Sequence, residues 1–185
     1  MSLTIGETAI DGVRTLRSTR RGDARGFLER LFCEDELADV LDGRRIVQVN
    51  HARTIGKGTV RGLHFQFPPS AEMKFVHCLA GQIFDVAADL RAGSPTLHHW
   101  HGEVLDGEQG VTLVIPEGVA HGFQLLSDSC DLIYFHSAAY DPEREGGIDA
   151  LDPTLAVEWP LPVERRSERD EALPRVGDDA AEIRL

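Results

Sequence analysis

A chain of 185 residues is long enough for one domain with a sizeable core and short for two, and its 42% hydrophobic and 27% charged residues are those of an ordinary soluble globular protein. A net charge of −12 argues against broad nucleic-acid binding, which needs a basic face to displace the counterions of phosphates. It leaves room for a phosphorylated small molecule held by a local cluster such as Arg25, Arg61 and Lys74, while the runs Glu34-Asp35-Glu36, 143–145 and Asp178-Asp179 read as solvated surface.

Residues 1–10 lack a basic start followed by an apolar stretch, so no signal peptide is expected, and no apolar run approaches the ~20 residues of a membrane span. A helix is predicted over residues 34–41, with acidic residues in its first turn and Gly43 as its stop. From residue 43 to 147, Gly, Pro and Asp-Gly punctuation separates apolar runs of strand length at 75–79, 83–90, 111–115, 122–126 and 132–135. Many short strands with regular turns and almost no helical periodicity predict an all-β sandwich or barrel with short peripheral helices. Within 82–91, Phe84, Val86, Ala88 and Leu90 form a wholly apolar face expected to meet the core. The other face carries Asp85 and Asp89, which are expected to point to solvent rather than into a polar cavity. Cys33, Cys78 and Cys130 have no metal-site spacing and no CxxC pair; Cys78 and Cys130 lie in apolar runs as small buried hydrophobes. A reduced, cytoplasmic protein is the expectation. Beyond Pro160 the chain is charged and proline-punctuated, with a short helix expected near 164–173. Residues 1–176 are read as one domain and 177–185 as a loosely held acidic tail.

The chemistry concentrates in Arg61-Gly62-Leu63-His64-Phe65-Gln66, in Lys74, and in Ile115-Pro116-Glu117-Gly118-Val119-Ala120-His121-Gly122-Phe123. These segments offer what is needed to hold an anionic substrate, remove a proton beside a carbonyl and stabilise the enolate. A neutral imidazole is a base near physiological pH, and Lys or Arg supplies positive field. Pro116-x-Gly118-x-x-His121 looks like the second motif of the cupin superfamily, whose metal-binding members use a His-x-His pair in the first motif. Here that motif would be His64-Phe65-Gln66, which leaves His64, His121 and Glu72 as candidate ligands. Glutamine is a poor ligand beside imidazole, so no metal is expected.

The pattern as a whole resembles the dTDP-4-dehydrorhamnose 3,5-epimerase family. It does so through Arg25-Gly26-Phe27-Leu28-Glu29, Gln48-Val49-Asn50, Arg61 to Gln66, Met73-Lys74-Phe75-Val76, Phe84-Asp85-Val86 and Asp89-Leu90-Arg91. Further matches are Gly93-Ser94-Pro95-Thr96, Ile115 to Phe123, Tyr134, Tyr140, Glu145-Gly146-Gly147-Ile148, Asp152-Pro153 and Glu158-Trp159-Pro160. The resemblance implies a cupin-type double-stranded β-helix, or jelly roll, that works as a homodimer without metal or redox cofactor on a dTDP-4-keto-6-deoxyhexose. It makes His64 the base, with Asp170 falling where the family has an aspartate that orients this histidine. Tyr134 becomes the acid on the opposite face, and Lys74 stabilises the enolate at C4. His121 is placed to hydrogen-bond the substrate, and Arg61 and Arg25 to hold the diphosphate. Gln48, Asn50 and Glu29 fall among the ligands of base, ribose or phosphate, Phe27 is a wall for the thymine, and Tyr140 also belongs to the binding set. In the family the Arg-Gly-Phe-x-Glu segment reaches the neighbouring subunit's site.

Departures from the family pattern fall at Phe135, where a lysine is usual, at Ala139 before Tyr140, where tyrosines are paired, and at Ala150, where a tryptophan is usual. They leave proton abstraction intact and leave open whether C3, C5 or both are inverted. A metal-dependent cupin oxygenase or isomerase and a non-catalytic nucleotide-sugar-binding module are the readings from other classes. The second has no use for an acid and a base on opposite faces.

Overall fold

The computed structural model describes residues 2–177 together with 183 and 184. β1 (Leu3–Glu7) and β2 (Arg14–Ser18) form an N-terminal antiparallel pair, and β3 (Arg21–Asp23) with β4 (Gly26–Leu28) a separate hairpin. After α1 (Ala38–Leu41) come β5 (Gln48–Ile55), β6 (Val60–Gln66), β7 (Lys74–Ala80), β8 (Gln82–Asp89), β9 (Trp100–Asp106), β10 (Val111–Ile115), β11 (Val119–Leu125), β12 (Ser129–His136), β13 (Glu145–Gly147) and α2 (Glu168–Glu171). One sheet has the order β1-β2-β10-β7-β12-β5 and the other β13-β6-β11-β8-β9. The pairings within both sheets are antiparallel, and the two face each other as the jelly roll that the family resemblance implies, within the sandwich or barrel that the strand pattern predicts.

Between the sheets lies an apolar cluster of Val76, Cys78, Ile83, Ala87, Leu113, Ile115, Phe123, Leu125, Cys130 and Leu132, together with Ile10, Val13, Leu105, Val111 and Val119. It fills one part of the interior, and the remainder opens as a polar pocket. Two further clusters lie outside the sheets. Leu16, Phe75 and Val114 pack against Leu37 and Leu41, which ties α1 to the larger sheet. Val60, Leu63, Phe65, Val86, Ala88 and Leu90 are covered by the C-terminal wrap, including Val157, Trp159 and Val163.

That wrap overturns the solvent-facing assignment of Asp85 and Asp89, both of which are 0% exposed. Strand β8 is buried on both faces. The apolar face does meet a core, but an outer one under the C-terminal segment, so the carboxylate face turns inward. Burial of Asp89 is compensated by donors from Arg91, Ser94 and Thr96, whereas Asp85 is bonded through one oxygen to His121.

The helix expected over 34–41 is confined to its last turn, where Asp42 in the left-handed region and Gly43 (φ 79°) end it. The C-terminal helix is likewise a single turn, begun by Ser167, whose hydroxyl accepts from the Asp170 N–H. Of the segment expected to be loosely held, residues 178–182 and 185 lie outside the described residues. Ile183 is 1% exposed and anchored, donating from its N–H to the Leu90 carbonyl at 2.7 Å.

Candidate active site

Strand β6 departs from ordinary alternation at the catalytic motif. Arg61 and His64 are three positions apart and would face opposite sides of a regular strand. Opposite β11, His64 pairs with His121 and Arg61 with Phe123, so three steps on β6 match two on β11 and one residue is extra. The extra residue is accommodated at Gly62, whose φ is 119°, and a Cβ there would meet the Cα of Gly122 at 2.6 Å. The Arg61-Gly62 and His121-Gly122 pairs are thus a close approach of two backbones. Its consequence is that Arg61 and His64 both reach the same pocket.

That pocket is a cavity of about 230 Å³ lined by Asn50, Arg61, His64, Glu72, Lys74, His121, Tyr134, His136, Tyr140 and Glu145, with Ala52 and Phe123. β6 and β11 contribute one wall, and β5, β7 and β12 the other. Three histidines each meet a carboxylate here. His64 Nε2 is 2.8 Å from Asp170 Oδ1, His121 Nε2 is 2.6 Å from Asp85 Oδ1, and His136 Nδ1 is 2.8 Å from Glu72 Oε2. Burial by itself raises the Asp170 carboxyl, but the His64 hydrogen bond and charge and the Gly62 N–H together bring it below the ordinary aspartate value. An ionised Asp170 accepts the Nε2–H of His64 and leaves Nδ1 as the lone-pair nitrogen. Asp85 moves the other way, because its burial outweighs His121 and raises its pKa.

Tyr134 packs edge-on to His121 and stacks on His136, with ring centroids 5.9 and 6.0 Å away. Burial first, and then the Asp85 charge, push its phenol well above the ordinary tyrosine value, so it is held protonated. Lys74 is 8% exposed, and its ammonium is ion-paired with Glu72 Oε1 at 3.2 Å and donates to the His64 carbonyl at 3.3 Å. A lone-pair imidazole on one wall, and a protonated phenol and a directed ammonium on the other, can exchange protons at a carbon beside a carbonyl.

Of the sequence-predicted residues, His64, Asp170, Tyr134, Lys74, His121, Arg61, Asn50 and Tyr140 are brought to this pocket or its rim. Arg61 Nη1 donates to Thr54 at 3.2 Å, and the Tyr140 N–H is accepted by Gln48 Oε1 at 3.0 Å, which sets Gln48 behind the rim. Arg25, Phe27 and Glu29 are not brought there. Arg25 is paired with Asp23 on the exposed hairpin, Phe27 lies under the Arg20 guanidinium, and Glu29 is bonded to Arg20 at 3.0 Å. Gln66, considered above in place of a metal-ligating histidine, spends its amide on the Ser70 and Ala139 carbonyls and the Asp141 N–H. Among the described residues no three His, Cys, Asp or Glu side chains converge as metal ligands would.

Sequence reasoning missed Asp85 as a site group, together with His136, Glu145 and Arg169. Glu145 accepts from the Tyr140 hydroxyl at 2.5 Å and pairs with Arg169 at 2.7 Å at the pocket rim. For His136 a signal was present: it stands two positions after Tyr134 on one strand and so shares its face.

Fold and pocket together define an acid–base isomerase on a cupin-type jelly roll. The family model for dTDP-4-dehydrorhamnose 3,5-epimerase matches residues 7–178. The dTDP-4-dehydrorhamnose 3,5-epimerase of Mycobacterium tuberculosis is 39% identical over 176 residues, 93% of this chain and 87% of that protein. The dTDP-4-dehydrorhamnose 3-epimerase of Streptomyces niveus is 39% identical over 164 residues, 88% and 78% of the two chains. A crystal structure of the dTDP-6-deoxy-D-glucose-3,5-epimerase of Legionella pneumophila with dTDP-4-keto-L-rhamnose matches at a TM-score of 0.93 and 38% identity, covering 99% of this chain and 98% of that one. This chain belongs to the dTDP-4-dehydrorhamnose 3,5-epimerase family, and it is an enzyme of the carbohydrate-epimerase type.

Proposed function

We propose that the chain epimerises a dTDP-4-keto-6-deoxyhexose at C3 and C5, with His64 as base and Tyr134 as acid. The observation that carries this is the placement of His64 with Asp170 on one wall of the pocket and of Tyr134 and Lys74 on the other. The C4 ketone acidifies the C–H bonds at C3 and C5. His64 takes the proton, the electron pair moves into an enolate whose oxygen faces Lys74, and Tyr134 returns a proton to the opposite face of the carbon. His64 then loses its proton to solvent and Tyr134 regains one, so the enzyme is restored. The high pKa of the buried phenol suits a donor that yields its proton only to a strongly basic carbanion.

Arg61 is read as a diphosphate ligand, with Asn50 and Gln48 toward the nucleotide. The β3–β4 hairpin is read as reaching a second copy. Phe27 and Leu28 on it are 58% and 63% exposed, and Val49 and Ile55 on the sheet-edge strand β5 are 52% and 64% exposed. A homodimer covering both would bring Arg25 and Phe27 to the partner's site.

Proton NMR of dTDP-4-keto-6-deoxy-D-glucose in D2O with the enzyme tests the reading. Solvent deuterium at both C3 and C5 supports the double epimerase. Deuterium at C3 alone would match the activity named for the Streptomyces niveus relative, and deuterium at neither would sink the assignment.

A further inference from the structure

The third histidine–carboxylate pair has no part in the proton transfers above. His136 and Lys74 are register partners on β12 and β7, so their side chains stand side by side on the pocket face. Glu72, just ahead of β7, bridges them: Oε1 is ion-paired with Lys74 Nζ at 3.2 Å and Oε2 accepts from His136 Nδ1 at 2.8 Å. The carboxylate offers only acceptors, so Nδ1 carries the proton. The other nitrogen, Nε2, lies 3.5 Å from the Asn50 amide. Glu72 is 9% exposed, and burial alone raises its carboxyl, yet the His136 bond and the Lys74 charge bring it below the ordinary glutamate value.

An ammonium has three N–H donors on a freely rotating head. One of those of Lys74 is donated to the His64 carbonyl at 3.3 Å and the head is ion-paired with Glu72 Oε1 at 3.2 Å, and these two contacts on one side of the head orient the third N–H. We propose that Glu72, held in turn by His136, is a positioning residue that aims the third N–H of Lys74 at the substrate oxygen. Glu72 also weakens the field of Lys74, so the two effects oppose. Aim prevails, because a buried ammonium stripped of its carboxylate swings toward solvent and no longer faces the reacting oxygen. His136 closes the arrangement from the far side. Without its Nδ1–H, Glu72 has a free oxygen and can leave Lys74.

This inference rests on Lys74 facing the enolate oxygen, and the test separates the two. E72A, E72Q, K74M and the double variant E72A/K74M are compared for kcat and KM on dTDP-4-keto-6-deoxy-D-glucose, with dTDP binding by calorimetry as the check on folding. Loss of a charged hydrogen bond predicts that E72A lowers kcat about 10- to 100-fold with KM changed less than about threefold. E72Q, which can still accept from Lys74, recovers much of that loss, and E72A costs nothing further in the K74M background. An E72A kcat equal to wild type beside an inactive K74M overturns the inference alone, as do losses that multiply in the double variant. Full turnover by K74M overturns the reading of Lys74 itself, and the inference with it. If E72A fails to fold, H136F and H136N carry the test. The phenyl ring gives Glu72 no donor and should lower kcat several-fold at unchanged KM, and the Asn amide should restore it. A wild-type kcat for H136F overturns the proposal.

Discussion

His64 and His121 are register partners on adjacent strands, and each gives its Nε2 to an aspartate, yet the two aspartates titrate in opposite directions. Asp170 comes from a one-turn helix at the rim and is bonded by His64 and by the Gly62 N–H, which together outweigh its burial. Asp85 comes from the middle of β8, is 0% exposed, and among the described residues is hydrogen-bonded by His121 alone, with no partner for its buried Oδ2. The same two residue types make a partly exposed pair at the pocket in one place and a fully buried pair in the other. What separates them is the depth of burial and the number of donors around the carboxylate.

The largest effect should come from removing the base. H64N is expected to lower kcat by about 10²- to 10⁴-fold, the range of general-base catalysis, while dTDP binding measured by calorimetry survives. H121N should cost far less, and equal losses in the two variants would erase the contrast between the pairs. One step smaller is D170N, which keeps an acceptor for Nε2–H but removes the charge. A fall in kcat of about 10- to 100-fold with KM little changed is expected, and steady-state kinetics at wild-type rates would dismiss Asp170 as a positioning group.

Stability should separate the aspartates by sign. The folded pKa of Asp85 lies above its unfolded value, so its ionisation costs stability, and that cost grows as pH rises through the folded value. D85N should therefore raise the thermal midpoint at pH 8 more than at pH 4, by about 2–4 °C for each kcal/mol relieved. An equal shift at both pH values would show that the pair's charge is irrelevant. The folded pKa of Asp170 lies below its ordinary 3.8, so its contribution is present above that value and fades as pH falls toward the folded pKa. Asp89, also lowered, titrates in the same acid window, so D170N should only shallow the loss of melting temperature below about pH 4. A steeper loss in the variant would reverse the assigned sign.

Strand positions and the all-β sandwich or barrel were legible because they are written in near neighbours, in alternation over two residues and turns at Gly, Pro and Asp-Gly, while the jelly roll and the motif residues came through the family resemblance. Pro116 and Gly118 mark the turn into β11, and Gly118 has the φ of 77° that such a turn requires. The inward turn of Asp85 was not legible. It depends on Val157, Trp159 and Val163 covering the other face of β8, and no local pattern announces that cover. Nor could the motif reveal that Gly62 is the extra residue that swings Arg61 onto the face of His64, because a bulge is a property of two paired strands.

Residue order, through its resemblance to this family, therefore determined an all-β barrel and pointed to His64, Tyr134 and Lys74 as the candidate base, acid and enolate-stabilising lysine. Only the tertiary structure decided which carboxylate meets which imidazole. Those pairings span 106 residues for His64 and Asp170, 36 for His121 and Asp85, and 64 for His136 and Glu72. Contacts at such separations are set by sheet register and by the C-terminal wrap, and with them the donor count and burial that fix each group's charge.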